Sequence, residues 1–243
     1  MLNRVFGENV VPVSVVGLGC SRIGSFNNPV PLSEIRATLD RALALGITLF
    51  DTADIYGQGD SERELGRFLK GRHDRAFVVT KVGNRFSAKM RLLRPLKPVL
   101  KPLLAARGRG KAVTAHREAN IAYDFSAAHI RAAVEGSLRR LQVERLDGLL
   151  LHSPPAAEIE KAEVADVLAR LKAEGKVRHF GISCDDGPAL EAALRVPGVE
   201  LLELPLDVID AAAASELDGS IAERRIGVLA REVIRLQPDV APA

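Results

Sequence analysis

Short apolar segments alternate with polar or amphipathic segments along most of the chain. Seven of the apolar segments have the length of a strand, and several of them end in a charged residue or a serine. An apolar segment of this length is typical of a parallel strand that is covered on both faces. The predicted strands are Val13–Cys20, Ile47–Asp51, Ala76–Lys81, Leu146–His152, Val177–Ser183, Leu201–Pro205 and Gly227–Ala230.

Segments with helical periodicity, or with helix start and stop signals, lie between these strands. The predicted helices are 31–44, 61–69, 126–141, 159–174, 189–194 and a helix around 220–225. Ser126 is the predicted N-cap of the third helix, because its hydroxyl can accept a hydrogen bond from the first turn. Ser61 and Glu64 have the spacing of a capping box at the start of the second helix.

Strands that alternate with helices predict a single α/β domain of the (β/α)8 TIM-barrel type, spanning residues 1–243. Only seven strands can be counted, so we expect a shortened barrel that lacks the eighth βα unit. Such a barrel leaves two sheet edges unpaired, and an unpaired edge must be covered. We therefore expect closure by another part of the chain or by a second copy in a homo-oligomer.

A basic segment at about residues 84–125 interrupts the alternation. Lysines and arginines are frequent between Asn84 and Glu118, where Glu118 is the only acid, and three prolines lie at short intervals. Prolines at this spacing argue against one long helix. A long segment of this kind is often a solvated active-site loop. Clustered basic residues beside leucines also suit an anionic substrate, an acidic partner or a membrane surface.

The whole-chain composition argues against several classes of protein. The net charge is only +3, from 34 basic and 31 acidic residues, and aromatic residues make up 4%, which gives little support for nucleic-acid binding. Cys20 and Cys184 are the only cysteines, and neither they nor the histidines have metal-ligand spacing. No apolar stretch is long enough to span a bilayer. We expect a cytoplasmic protein without a metal site, a nucleic-acid partner or a transmembrane segment.

Four residues that can move or hold a proton lie at or just beyond the ends of predicted strands. They are Asp51, Tyr56, Lys81 and His152, and a parallel barrel would bring them together. A tyrosine has an ordinary pKa of about 10 and is a weak acid at neutral pH unless a nearby ammonium stabilises its phenolate. Lys81 can supply that charge, Asp51 can hold Lys81, and His152 can polarise a carbonyl oxygen. Each residue alone has an ordinary structural explanation, but the set predicts acid/base chemistry.

Residues 50–66, FDTADIYGQGDSERELG, resemble the signature of the aldo-keto reductases. The resemblance extends from Val13 to about Leu229 and includes the runs VVTKVG and DGLLLHSP. It implies that the four residues above are the catalytic residues, with the tyrosine donating a proton to a carbonyl group while a nicotinamide delivers hydride. The function that it implies is NAD(P)H-dependent reduction of an aldehyde, ketone or sugar.

The resemblance also implies a set of cofactor-binding residues, which are Gly19, Cys20, Ser183 and Glu203. Cys184 stands where the family usually has an asparagine, and Glu203 stands where it usually has a glutamine that holds the nicotinamide amide. An ionised carboxylate accepts a hydrogen bond from an amide nitrogen but cannot donate one to an amide oxygen. The family's phosphate-binding elements after the seventh strand have no recognisable counterpart. NADP(H) is therefore the cofactor that the resemblance implies, but a conventional site for it is doubtful.

Two other functions stay open on the sequence alone. The same acid/base residues could catalyse a redox-neutral elimination, dehydration, isomerisation or cyclisation without a nicotinamide. Alternatively, the chain could be a non-catalytic interaction protein whose basic segment binds an acidic surface. The substrate of the leading hypothesis is a small carbonyl compound, and an anionic one is among the alternatives that the basic segment leaves open.

Overall fold

The computed structural model describes residues 1–7, 12–25, 28, 30–86, 121–213, 215 and 217–233. The strands are β1 (Asn3–Val5), β2 (Pro12–Ser14), β3 (Gly17–Gly19), β4 (Leu49–Asp51), β5 (Phe77–Val82), β6 (Asn84–Phe86), β7 (Ile121–Tyr123), β8 (Leu146–His152), β9 (Val177–Ser183), β10 (Leu201–Pro205) and β11 (Gly227–Arg231). The helices are α1 (Leu32–Ala44), α2 (Asp60–Leu69), α3 (Ala127–Leu141), α4 (Ala156–Ile159), α5 (Ala162–Ala173), α6 (Gly187–Arg195), α7 (Leu206–Ala213) and α8 (Leu217–Glu223), and short 3-10 helices lie at Tyr56–Gln58 and His73–Arg75.

Seven parallel strands form the central sheet, in the order β3-β4-β5-β8-β9-β10-β11. The sheet is curled, because Lys81 on β5 and Glu203 on β10 are three strand steps apart and yet their charged groups are 3.0 Å apart. In a flat sheet, three steps of about 4.8 Å would separate such residues by roughly 14 Å. The predicted fold class, an α/β barrel with seven strands in the part of the chain that is described, is confirmed.

Alternation of side chains along the strands divides the apolar residues into two cores. A small core inside the barrel is made of the inward residues Phe6, Val13, Leu49, Phe77, Val79, Leu150, Leu201 and Leu229. Outward residues such as Phe50, Val78 and Leu149 belong to a larger core between the sheet and the helices. Phe6 follows β1 and contacts Phe77 at the start of β5, with 6.0 Å between ring centroids. The β1–β2 hairpin therefore closes the amino end of the barrel.

The observed elements differ from the predicted ones where pairing or a local break overrides the hydrophobic pattern. The predicted strand Val13–Cys20 is divided, because its first part pairs antiparallel with β1 and only Gly17–Gly19 joins the parallel sheet. The predicted helix 159–174 is two helices, α4 and α5, because the backbone at Lys161 is extended. Helix α7 and the hairpins β1–β2 and β6–β7 are absent from the sequence prediction.

Only the two ends of the basic segment lie within the described residues. There, β6 and β7 pair as antiparallel strands, with Asn84 opposite Tyr123. The prediction of a loop or a binding segment falls mainly on residues 87–120, which lie outside the described residues.

Within the described ranges, no helix combines the length and the apolar character needed to cross a membrane.

The two predicted helix starts have different outcomes. Ser126 is the N-cap of α3, and its Oγ accepts a hydrogen bond from the backbone nitrogen of His129 at 3.3 Å. The capping box of Ser61 and Glu64 is wrong, because Ser61 lies inside α2 and its side chain does not cap the helix. The Ser61 hydroxyl instead donates to the carbonyl oxygen of Cys20 at 2.9 Å, which ties the start of α2 to the end of β3.

Helix α2 lies directly against the carboxyl end of α3. Glu62 on α2 accepts hydrogen bonds from Arg140 Nε at 2.5 Å and from Thr80 Oγ1 on β5 at 2.7 Å. Gly66 lies at the contact between the helices, and a Cβ built there would be 2.6 Å from the carbonyl oxygen of Arg140. This distance is shorter than a van der Waals contact, so the residue must lack a side chain for the helices to approach so closely.

Gly66→Ala is expected to lower the free energy of unfolding by about 1–3 kcal/mol, because the added methyl group must push α2 away from α3. Gly219→Ala is the matched control, since Gly219 also lies in a helix and a Cβ there meets no atom within 4 Å. Alanine favours the helix over glycine by up to about 1 kcal/mol, so the control should keep or raise stability. Chemical denaturation measures both values, and equal effects of the two substitutions would contradict the close contact.

Candidate active site

The polar residues at the carboxyl ends of the strands form one layer directly above the inward apolar core. Inward positions repeat every second residue along a strand. The inward apolar residues, each with the polar residue two positions later, are Leu49 and Asp51, Val79 and Lys81, Leu150 and His152, and Leu201 and Glu203. A polar layer at this end of a parallel barrel is the usual place of an active site.

Tyr56 reaches this layer from the turn after β4 rather than from a strand. It begins a 3-10 helix, and residues 57–59 all have positive φ angles, between 60° and 82°. At Gly57, a Cβ would be 2.7 Å from the carbonyl oxygen of Ile23. Glycine at this position therefore allows the turn to lie against the chain that follows β3 and so to aim the phenol inward.

The Lys81 ammonium is the centre of the layer. Lys81 is only 1% exposed, and its Nζ donates hydrogen bonds to Asp51 Oδ1 and, at 3.4 Å, to the carbonyl oxygen of Thr52. Nζ also lies 3.0 Å from Glu203 Oε2. A charge is stable in the interior when it is paired and hydrogen-bonded, and here two carboxylates from different strands face one ammonium.

Tyr56 and His152 meet beside this ammonium. Their rings are perpendicular, with 5.7 Å between centroids. Lys81 Nζ lies 5.4 Å from the centroid of the Tyr56 ring. The structure therefore brings the four candidate catalytic residues together, as the sequence pattern predicts, and it adds Glu203 as a fifth member of the cluster.

The shared ammonium and the surrounding protein shift the pKa values of this cluster. Burial alone would lower the pKa of Lys81, but the charges of Asp51 and Glu203 outweigh burial and raise it above its ordinary value. Burial raises the pKa of Asp51, against the effect of Lys81. Burial also raises the pKa of Glu203, to about 7, because Lys81 offsets burial only in part and Asp51 adds a like charge. Lys81 is therefore charged at neutral pH, whereas Glu203 is near its midpoint.

The expectation that Lys81 makes Tyr56 acidic needs a correction. The pKa of Tyr56 is raised above its ordinary value, chiefly because the phenol is buried. The charge of Lys81 lowers this pKa, as expected, but Asp51 and Glu203 raise it. Tyr56 therefore stays protonated at neutral pH. Lys81 makes the phenol more acidic, but Asp51 and Glu203 cancel part of this effect.

His152 is neutral in these surroundings. Burial lowers its pKa to about 3, and the charges of Lys81 and Arg231 act in the same direction. Its Nδ1 is buried and has no hydrogen-bond partner among the described residues. A neutral imidazole has one N–H donor and one acceptor nitrogen. His152 can therefore donate a hydrogen bond to an oxygen bound next to Tyr56 without itself carrying charge.

The four predicted cofactor-binding residues are placed differently from one another. Gly19 lies opposite Asp51 in the β3–β4 register, and a Cβ there would meet nothing within 4 Å, so space is open at the end of β3. Ser183 ends β9 opposite Glu203, which lies in the polar layer. The Cys20 side chain is buried in the core between the sheet and the helices, so its thiol is not available to a ligand.

Arg231 is a member of the polar layer that the sequence analysis missed. It lies two positions after the inward Leu229 and ends β11. Its Nε is 3.9 Å from Glu203 Oε1, and its other nitrogens pair with Asp185 and Glu232. The period-two position after Leu229 is the signal that could have identified it, but the predicted seventh strand stops one residue too early.

A cavity of about 630 Å³ lies beside this layer, along the seam between β3 and β11. Its wall includes Asp51, Glu203 and Arg231, together with residues of the β1–β2 hairpin. A cavity of this size can hold a small organic ligand. In the described part of the chain, no three His, Cys, Asp or Glu side chains are grouped so that they could hold a metal ion.

The match to a known protein family covers most of the chain. A sequence profile described as the Aldo/keto reductase family matches residues 15–209. The chain belongs to the aldo-keto reductase family. Among its relatives, D-threo-aldose 1-dehydrogenase from a Pseudomonas species is 30% identical over 226 residues, which is 91% of this chain and 66% of that protein. The 6-dehydroglucose reductase of Agrobacterium fabrum is 32% identical over 186 residues, which is 75% of this chain and 54% of that protein.

A solved aldo-keto reductase structure has the same fold. The holo form of an aldo-keto reductase from Bacillus halodurans is 28% identical and superposes with a TM-score of 0.70, covering 95% of this chain and 65% of that one. The chain thus spans between about half and two thirds of the length of these three relatives.

Cys184 and Glu203 are the two positions of this aldo-keto reductase at which the sequence resemblance leads us to expect a side-chain amide. Burial raises the pKa of the Cys184 thiol to about 12, so the side chain is a neutral thiol, a weaker hydrogen-bond donor and acceptor than the usual amide. Glu203 is engaged with Lys81 and has one carboxylate oxygen facing it. Glu203 is the larger of the two differences, because it adds a titratable charge to the cluster around Lys81.

His152→Gln tests whether the imidazole stays neutral in the folded protein. The unfolded chain binds a proton at this histidine below about pH 6.5, whereas the folded protein does not do so until about pH 3. His152 therefore lowers stability as the pH falls through this window, by about 1.4 kcal/mol per pH unit. In denaturation measurements between about pH 6 and pH 4, the variant should lose less stability than the wild type. An NMR titration that finds the His152 imidazole charged near pH 6 would rule this out.

Proposed function

We propose that this aldo-keto reductase interconverts a small carbonyl compound and its alcohol with a nicotinamide cofactor, and that Tyr56 is the proton donor. The observation that carries the proposal is the cluster in which Tyr56 and His152 face each other beside the buried Lys81 ammonium. An oxygen bound next to the phenol and the imidazole would receive a hydrogen bond from each. Such a pair of donors suits an oxygen that gains negative charge during a reaction.

The charges in the cluster determine the proton step. Tyr56 starts protonated, since burial and the nearby carboxylates raise its pKa, and it gives its proton to the substrate oxygen as negative charge develops there. Lys81 stabilises the phenolate that remains, and Asp51 holds Lys81 through a hydrogen bond. His152 orients the substrate oxygen as a neutral donor. In alcohol oxidation, the same proton moves in the opposite direction.

The polar layer fits the nicotinamide end of a dinucleotide. Open space lies at Gly19, and Ser183 and Glu203 lie side by side in the β9–β10 register. Glu203 Oε1 can accept a hydrogen bond from a carboxamide nitrogen while Oε2 faces Lys81. We infer that Gly19, Ser183 and Glu203 contact this end of NADP(H) or NAD(H), which supplies or accepts the hydride when bound.

The proposed substrates are sugars or similar small carbonyl compounds. The names of two relatives refer to an aldose and to 6-dehydroglucose. Arg231 gives no specific support for an anionic substrate, because Asp185, Glu232 and Glu203 already balance its charge.

We also propose that the chain forms one domain, that it works in the cytoplasm, and that it forms a homo-oligomer. A homo-oligomer would cover the seam between β3 and β11, where Val15 and Val16 are 53% and 52% exposed.

Titration with NADPH and NADH tests the cofactor. The protein has no tryptophan, so nicotinamide fluorescence is read with little interference, and we expect a saturable change with each cofactor that binds. Turnover of a carbonyl or sugar substrate without binding of either cofactor at millimolar concentration would favour redox-neutral chemistry at the same residues. A protein that neither binds nicotinamide nor turns over substrate, but binds an acidic partner, would favour the non-catalytic function.

Tyr56→Phe should lower kcat for carbonyl reduction about 100- to 10,000-fold, because it removes the proton donor. NADPH binding should stay the same, since the phenol hydroxyl is not among the proposed cofactor contacts. Tyr123→Phe is the control, because Tyr123 is the only other tyrosine and is 57% exposed on β7. Equal rates in the two variants would exclude Tyr56 as the proton donor.

A further inference from the structure

We propose that Glu203 is a positioning residue that shares the Lys81 ammonium with Asp51, and that the charge of Glu203 sets how strongly Tyr56 holds its proton. This role goes beyond the contact with nicotinamide proposed above. It rests on the proposed function only for its effect on catalysis, because the electrostatic coupling exists with or without a reaction.

Lys81 lies between two carboxylates on the inward face of the sheet, which come from strands on either side of β5. Asp51 belongs to β4, which pairs directly with β5, and it accepts a hydrogen bond from Lys81 Nζ. Glu203 belongs to β10, three strand steps away on the other side of β5, and places Oε2 3.0 Å from the same nitrogen. Glu203 is 4% exposed and Lys81 is 1% exposed. Water therefore screens their interaction much less than it would at the surface.

The groups around Glu203 act on its charge in opposing directions. Burial and Asp51 on β4 favour the protonated form, whereas Lys81 on β5 and Arg231 on β11 favour the ionised form. Cys184, which follows β9, is a neutral thiol at physiological pH because burial raises its pKa to about 12. These effects together raise the pKa of Glu203 to about 7, so the carboxyl group changes charge in the range in which enzymes work.

The Tyr56 phenol is close enough to respond to this charge. Asp51 and Glu203 both raise the pKa of Tyr56, and Lys81 lowers it. When Glu203 carries a proton, only Asp51 competes for Lys81, and the phenolate is better stabilised. When Glu203 is ionised, two negative charges oppose the phenolate. Proton donation by Tyr56 should therefore become harder as the pH rises through about 7.

The composition of the chain allows an optical test without substrate or cofactor. The chain has two tyrosines and no tryptophan, so Tyr123→Phe leaves Tyr56 as the only source of tyrosinate absorbance. In this background, Glu203→Gln should shift the phenol titration to lower pH. We expect roughly tenfold more phenolate at a given alkaline pH, because removing a nearby like charge commonly lowers a pKa by about one unit.

Glu200→Gln in the same background is the matched control. Glu200 pairs with Lys172 and His179 and lies outside the Lys81 cluster, so its substitution should leave the titration curve unchanged. Glu203→Asp keeps the charge on a shorter side chain and should give a smaller shift in the same direction. If the Glu203→Gln variant does not fold, the phenol titration of the Glu203→Asp variant tests the proposal instead. Identical curves for the background protein and the folded Glu203 variants would overturn the proposal.

The pH profile of kcat separates this proposal from the proposed function. If this protein reduces carbonyl compounds, its kcat should fall several-fold as the pH rises from about 6 to about 8. The kcat of the Glu203→Gln variant should not change with pH over this range. A profile that Glu203→Gln leaves unchanged would overturn the role of Glu203 in catalysis. A complete lack of activity would count against the proposed function, whereas the optical shift would still support the coupling.

Discussion

A buried ammonium with two carboxylate partners is the constraint on which the site depends. Lys81 is 1% exposed, and taking such a charge out of water costs several kcal/mol unless partners compensate for it. Asp51 and Glu203 compensate, but they lie on strands that are four positions apart in the sheet order. Both pairs form together because the sheet curls. The electrostatics of the site and the curvature of the sheet therefore support each other.

Apolar packing fixes the height at which these charges meet. The inward residues Leu49, Val79 and Leu201 lie two positions below the three charged groups, so the core holds the charges level at the carboxyl ends of the strands. Tyr56 comes from a turn instead, and its position depends on the left-handed backbone at Gly57. The strands thus hold the charged groups of the cluster, and the Tyr56 phenol reaches them from a separate element.

Local sequence patterns predict much of this arrangement, because strand periodicity and polar strand ends are local properties. Lys81 and His152 end apolar runs, and their common layer follows once parallel strands are assumed. The contact between Lys81 and Glu203 could not be predicted, since it depends on how far the sheet curls. The net pKa shift of Tyr56 also needs burial, which only the fold defines. The prediction of a capping box at Ser61 is wrong because it also depends on tertiary structure. The Ser61 hydroxyl donates to the carbonyl oxygen of Cys20 and so does not cap the helix.

The carboxylate at Glu203 makes the cluster different from one with a neutral amide at this position. An amide would leave Lys81 balanced by Asp51 alone, and each proton lost by Tyr56 would add a full negative charge to a buried site. Glu203 titrates near neutral pH and repels the phenolate, so the two groups titrate as a coupled pair. As Tyr56 gives up its proton, the affinity of Glu203 for a proton rises. Uptake of that proton removes part of the repulsion that the carboxylate itself causes, whereas a glutamine neither repels the phenolate nor titrates.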